Sequence, residues 1–203
     1  MTSKLIIQEL ATPDKAAVRQ LLLDGYKQYE NEFTDKEAWH DYVENIKHSI
    51  DNPNIDRILV AKQAEKVVGT LQLFKNADVA YGRPELDIHS PIVRLLAVHP
   101  EARGQGVAQA LLRESLLYAY HQGAAHLYLH SGDIMKKAIQ LYEWIGFKRD
   151  VAKEFFNRDV HVKCFRYDLT ERNDWLESDI AREAPHRNTP PPAPVSGIVP
   201  GGI

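Results

Sequence analysis

An apolar run that passes through a glycine-rich turn straight into a helical period constrains this chain more than any other local pattern. Ile92 to Val98 is mostly apolar, as expected for a central strand covered on both faces. Next comes His99-Pro100-Glu101-Ala102-Arg103-Gly104-Gln105-Gly106, and then Ala108, Leu111, Leu112, Ser115, Leu116 and Ala119 recur at helical spacing up to a stop at Gly123. Gly104 and Gly106 put no side chain between an anion and the backbone, and the first amides of the helix have no carbonyl partner within it. Those donors, the positive end of the helix dipole and the Arg103 cation together favour a bound pyrophosphate. Two commoner phosphate motifs are absent: there is no Gly-x-x-x-x-Gly-Lys-Ser/Thr, and no third glycine or alanine at the dinucleotide-binding spacing with its matching acidic residue.

Around this unit the pattern predicts a strand over Leu5 to Leu10, then a helix over Asp14 to Tyr29 opened by Thr12 as cap and Pro13 in its first turn. A second helix runs from Lys36 to Ile50 with Trp39, Tyr42, Val43, Ile46 and Ile50 on one stripe, stopped by Asn52-Pro53. Arg57 to Ala61 and Val67 to Phe74 read as a hairpin in which Gly69 marks a bulge or a close approach. Ala77 to Ser90 reads as a loop or ragged strand extension edging the site. His126 to His130 is a strand, Ile134 to Ile145 a helix, and the final strands follow from Phe147. The alternation of strands and helices from Ile92 to Ile145 argues for an α/β core, and no internal repeat is evident. From Glu171 the composition shifts to the proline run 190–194 and Gly201-Gly202. Residues 1–170 are therefore expected to form the domain and 171–203 an extension, solvated or docked through Trp175, Ile198, Val199 and Ile203.

A formal charge of -3 gives the chain no general attraction to nucleic acid or to an anionic membrane. Its single cysteine, Cys164, lies in an alternating run and reads as a buried, inert thiol, with no intramolecular disulfide available. The short apolar run near the N-terminus is no membrane span, so a cytoplasmic protein is expected. The nine histidines form no tight pair with carboxylates or cysteine, and no metal is expected.

A second block, Ala138-Ile139-Gln140-Leu141-Tyr142-Glu143-Trp144-Ile145-Gly146-Phe147, lies about thirty residues after the first. Together the two blocks resemble the GNAT superfamily of acyl-CoA-dependent N-acyltransferases. Arg103, Gly106 and Ala108 match its Gln/Arg-x-x-Gly-x-Gly/Ala motif, and Ala138, Leu141, Tyr142, Gly146 and Phe147 match Ala-x-x-Leu-Tyr-x-x-x-Gly-Phe. The resemblance implies a central mixed, mostly antiparallel sheet, splayed at its middle strands and flanked by helices. It implies acetyl-CoA as co-substrate, held by Leu96, Ala97, Val98, Arg103, Gly104, Gln105, Gly106, Val107 and Ala108. The pantetheine would pair with the backbone at Leu96 and Val98, and Tyr142 would be the general acid that protonates the departing sulfur. The acetyl group would pass to a primary amine by direct attack, the amine belonging to a small molecule or a protein. Homodimers are common among the resembling proteins.

Two positions depart from the resembling pattern. Ile92 stands where some members carry a glutamate base, and Met135 where many carry an asparagine. The base must then be a water relay or another side chain, and His130 and Asp87 are the candidates, His130 because a histidine titrates near neutrality. Arg94, on the face of the central strand that holds Leu96, is a candidate anchor for a carboxylate or phosphate. Tyr26, Tyr29 and Glu32 could face the acceptor, with Glu32 reading a charged amine. The residues leave open a catalytically silent acyl-CoA-binding sensor or scaffold, and a toxin that acylates aminoacyl-tRNA, which the acidic balance disfavours.

Overall fold

The computed structural model describes residues 4–33, 35–157 and 160–171. The chain opens with β1 (Leu5–Glu9), α1 (Lys15–Tyr26) and α2 (Lys36–His48), followed by β2 (Arg57–Gln63), β3 (Lys66–Phe74) and α3 (Ala77–Tyr81). Then come β4 (Ile92–Val98), α4 (Val107–His121), β5 (His126–Gly132), α5 (Lys136–Ile145), β6 (Lys148–Arg149), β7 (Phe155–Asn157) and β8 (Val160–Asp168). The sheet order is β1-β2-β3-β4-β5-β8-β6, with β7 also paired to β8. Every pairing is antiparallel except β4 with β5. This is the mixed, mostly antiparallel sheet expected from the sequence. The C-terminal extension lies, apart from Glu171, outside the described residues.

The middle of the sheet is where it opens. β4 and β5 are in register only at Ile92 with Tyr128 and Val93 with Leu129. On its other edge β4 carries a bulge: Thr70 faces Ala97 while Gln72 faces Arg94, so β4 spends one residue more than β3. Leu95 absorbs that extra residue at φ 50°, a left-handed conformation that costs a leucine about 1–2 kcal/mol and is held by the pairing on either side.

The two sheet faces are covered by different helices because side chains alternate along each strand. Ile58 and Val60 pack with Val18, Leu21 and Leu22 of α1 and with Ile46 of α2. On the opposite face Leu111, Leu112 and Leu116 of α4 are fully buried. There Gly69 fulfils both readings made from the sequence. It pairs with Ala61 beside a register shift, and a Cβ placed on it would meet Val107 Cγ1 at 2.6 Å and Leu111 Cδ1 at 3.0 Å.

Two local expectations are corrected. Thr12 starts a single 3-10 turn and makes no side-chain cap; α1 begins only at Lys15 and passes into a 3-10 segment over Lys27–Glu32. Residues 77–90 are not an open loop. Asn76 caps α3 by accepting from the Val79 amide, Gly82 ends it at φ 65°, and Ala77, Ala80, Leu86 and Ile88 are buried with Phe74 and Tyr128. Five helical residues between turn signals are too few to display a helical period.

Candidate active site

The parting of β4 from β5 opens a cleft of about 390 Å³ that runs from the glycine turn to α5. Its floor is the β4 edge, which faces β5 but has no partner there beyond Val93. Leu96, Ala97 and Val98 line it together with Arg103, Gly104, Gly106, Val107 and Ala108.

At one end Gly104 and Gly106 hold φ 75° and 79°, left-handed values that explain why both are glycine. The space beside Gly104 is open: a Cβ there would meet nothing within 4 Å. α4 starts at Val107, and its hydrogen-bond ladder starts when the Ala110 amide donates to Gly106 at 3.0 Å. The amides of Val107, Ala108 and Gln109 therefore precede the ladder and remain available as donors. Arg103 is tied to α1 by donating from Nη2 to the Gly25 carbonyl at 3.3 Å. Gln105 departs from the expected set. Its side chain turns back to donate to the Glu101 carbonyl at 2.9 Å, stiffening the turn, and it does not line the cleft. Gln109 and Lys137 do line it, and sequence reasoning missed both. Gln109 is the residue after Ala108 in the first turn of α4, so its position there was the signal. Lys137 had an equivalent signal in the first turn of α5.

At the other end Tyr142 projects from α5, 7% exposed, its ring 6.2 Å from Phe147 and 6.0 Å from Phe165. Burial, and then the nearby phenols Tyr29 and Tyr81, push its hydroxyl well above the usual tyrosine range. The group is thus a protonated donor at neutral pH. Gly146, at φ 113°, ends α5 by donating to the Tyr142 and Glu143 carbonyls, which fixes the turn that carries the phenol. Tyr26 and Tyr29 also line the cleft, and the Tyr26 hydroxyl donates to the Leu96 carbonyl at 3.5 Å.

The base candidates fare differently. His130 lines the cleft, yet both ring nitrogens are engaged: one lies 3.1 Å from the Lys153 carbonyl and the other 3.1 Å from the Tyr81 hydroxyl. A carbonyl only accepts, so Nε2 carries the proton and Nδ1 accepts from Tyr81. Burial above all pulls His130 down to about 4, which corrects the expectation that it titrates near neutrality. Asp87 is also corrected. It stands outside the cleft at φ 51°, bonded to His89 at 2.8 Å, with its backbone carbonyl accepting from Lys153. Glu32 is exposed in the 3-10 segment after α1 and does not reach the cleft either.

Arg94 does line the cleft. Its guanidinium lies 4.7 Å from the Tyr81 ring centroid and 5.5 Å from that of Phe74, and Nη1 donates to the Ala80 carbonyl. Met135 lies just before α5 and packs toward the α1–α2 cluster. Cys164 is fully buried, and burial pushes its thiol far up, as expected of an inert group. Among the described residues no cluster of three or more His, Cys, Asp or Glu could hold a metal, and no helix is long and apolar enough to cross a membrane.

A mixed, mostly antiparallel sheet parted between β4 and β5, with a left-handed glycine turn and a buried phenol lining the same gap, is the arrangement of an α/β protein whose site lies between its two parallel strands. The chain belongs to the Acetyltransferase (GNAT) family, whose model matches residues 16–147. It is 35% identical over 115 residues to N-acetyltransferase 8B of Homo sapiens, covering 54% of this chain and 48% of that one. It is 31% identical over 132 residues to N-acetyltransferase 8 of Homo sapiens, covering 61% and 56%. The chain thus spans about half the length of the curated relatives it matches. Among solved structures, the PaiA N-acetyltransferase of Thermoplasma acidophilum in complex with coenzyme A aligns with a TM-score of 0.60 at 16% identity, covering 81% of this chain and 99% of that one. A GNAT-family acetyltransferase of Staphylococcus aureus Mu50 aligns with a TM-score of 0.59 at 20% identity, covering 82% and 100%. These two likenesses concern the fold.

Proposed function

We propose that this protein transfers the acetyl group of acetyl-CoA to a primary amine by direct attack, with no covalent enzyme intermediate. One observation carries the reading: the left-handed Gly104–Gly106 turn and the Tyr142 phenol stand at the two ends of one cleft, joined by the unpaired edge of β4. The residues fit coenzyme A. Open glycine backbone and free α4 amides suit a pyrophosphate, with Arg103 as the cation of the same turn. The vacant β4 edge beyond Val93 suits an amide-bearing chain that adds as a short strand. The curated relatives named N-acetyltransferase, and the structural relative described with coenzyme A, support the same reading.

When bound, the thioester supplies an activated acyl carbon. The β4 backbone around Leu96 to Val98 offers amide dipoles to the acyl oxygen as negative charge grows there. As the new C–N bond forms and the C–S bond breaks, Tyr142 hands its proton to the leaving thiolate and regains one from solvent. The amine proton leaves to water, because among the described residues no carboxylate lines the cleft and His130 Nδ1 already accepts from Tyr81. Arg94 assists by disfavouring a second positive charge nearby, which favours the neutral, nucleophilic amine. The same absence of a carboxylate favours a second reading, a binding module that holds acetyl-CoA without turnover.

The test is thiol release from acetyl-CoA against a broad amine panel, with binding measured in parallel. Tyr142→Phe keeps the ring packing, so it should bind acetyl-CoA normally and lose about 100-fold or more in kcat. Gly106→Trp, which forces a bulky side chain into a left-handed position at the cradle, should abolish binding. Binding without release from any amine would establish the silent module, and failure of the wild type to bind acetyl-CoA would overturn both readings.

A further inference from the structure

Arg94 lines the cleft, and its surroundings are unusual for a cation. It leaves β4 directly after Val93, where β4 and β5 part. The guanidinium is half-buried between the rings of Tyr81 and Phe74 and donates to the Ala80 carbonyl. Its field reaches Tyr26 and Tyr42 on the helical side and Tyr81 and His130 on the other, and all four are uncharged at neutral pH. Among the described residues it has no carboxylate within ion-pair distance. Other arginines do find one: Arg19 meets Asp51 at 3.1 Å, Arg83 meets Glu85 at 3.2 Å, Arg149 meets Glu154 at 2.6 Å and Arg166 meets Asp150 at 3.7 Å.

A guanidinium drawn partly out of water without a counter-charge is costly, and an anion that enters beside it recovers that cost with charge-assisted hydrogen bonds. The rest of the cleft points the same way. Among the described residues no Asp or Glu lines it, so a polycationic acceptor finds no counter-charge on its walls. Glu32, the residue that could have read a positive amine, is not there.

Resting on the acetyl-transfer reading, we infer that the acceptor is an amino acid or close analogue whose free carboxylate seats on Arg94 while its amine takes the acetyl group. Carboxylate and guanidinium pair as matched planar forks, which fixes the acceptor's direction in the cleft. The zwitterion brings its own negative charge to a positive site. Its ammonium group meets no counter-charge on the described walls of the cleft, so partial desolvation there favours the neutral amine.

The experiment uses the full chain saturated with coenzyme A or acetyl-CoA and matched triplets: an amino acid, its carboxamide, and the same amine without the carboxyl group, over several side chains. Acceptor binding is read by calorimetry and turnover by thiol release. The wild type should prefer the carboxylate member by about tenfold or more for at least one side chain, expressed mainly in Kd and KM. Arg94→Gln should bring that ratio to about twofold or less, and Arg94→Lys should fall between, because a point charge attracts without the fork. Retained coenzyme A binding shows that each variant is folded. Equal treatment of carboxylate and carboxamide by the wild type, a preference that survives in Arg94→Gln, or stronger selection of an aminoalkyl phosphate would each overturn the inference while acetyl transfer stands. Failure of the wild type to bind acetyl-CoA would instead overturn the reading on which it rests.

Discussion

Gly69 couples the sheet to the start of α4, beside the glycine turn proposed to hold a phosphate, so adding one methyl there should act at a distance on ligand binding. A Cβ on Gly69 would sit 2.6 Å from Val107 Cγ1 and 3.0 Å from Leu111 Cδ1, against an ordinary carbon contact of about 3.5–4.0 Å. Roughly 1 Å must be found between β3 and the start of α4. Neither neighbour yields easily: Val107 is 1% exposed and stiff at its branched Cβ, and Leu111 is fully buried. Gly69→Ala should therefore cost about 1–3 kcal/mol, or several degrees of Tm. Val107 is the first residue of α4, so the displacement also moves the free amides of the cradle and should weaken coenzyme A binding by about tenfold. Adding Val107→Ala removes the atom that clashes. The double variant should recover stability relative to the sum of the singles, with a coupling of about 1 kcal/mol or more in a urea-unfolding cycle. Additive single effects, or a Gly69→Ala protein as stable as the wild type, would refute the account.

Stability should also report on His130. Its pKa lies near 4 in the folded chain and about 6.5 when unfolded, so between those values the unfolded state binds more protons. Its part of the stability is intact above pH 6.5 and lost as pH falls towards 4, on the order of 3 kcal/mol, and His130→Gln should flatten that stretch of the urea-unfolding profile. An unchanged slope would show that His130 titrates normally. Cys164, fully buried and with its thiol held far up, should react with an aromatic disulfide reagent at least about 100-fold more slowly in the native protein than in urea, and a fast native reaction would mean that β8 opens readily.

What the residues announced in advance were features that impose their own geometry. Gly104 and Gly106 demand left-handed backbone, and Val98 to Ala108 could hardly be anything but strand, turn and helix. The stripe from Leu111 to Ala119 declared the buried face of α4. Leu95 could not be read this way. Leucine has no preference for φ 50°, and the bulge arises because β3 and β4 must pair on both sides of it. Nearness along the chain also misled. Asp87 lies just before β4, but a left-handed turn at its own backbone sends it to His89 and away from the cleft. His130 was placed correctly and its chemistry was not, since its partners Tyr81 and Lys153 come from segments 49 and 23 residues away.

The charge set of the cleft also bears on the base that the family resemblance led one to seek. The resemblance implies a glutamate, in some members, where this chain has Ile92, a residue that is completely buried among Phe74, Ile88 and Tyr128. An ionised carboxylate there would have to be drawn out of water, and it would also neutralise Arg94, two residues along the strand. Isoleucine avoids both effects. Under the proposed acetyl transfer it would leave the guanidinium without a counter-charge at the mouth of the parted strands, where it would select a carboxylate and disfavour the ammonium form. On the proposed reading, the absence of a lining carboxylate among the described residues and the arginine without an ion pair are two aspects of one arrangement: a site that gives up a proton-accepting side chain would retain the positive charge with which to recognise a carboxylate.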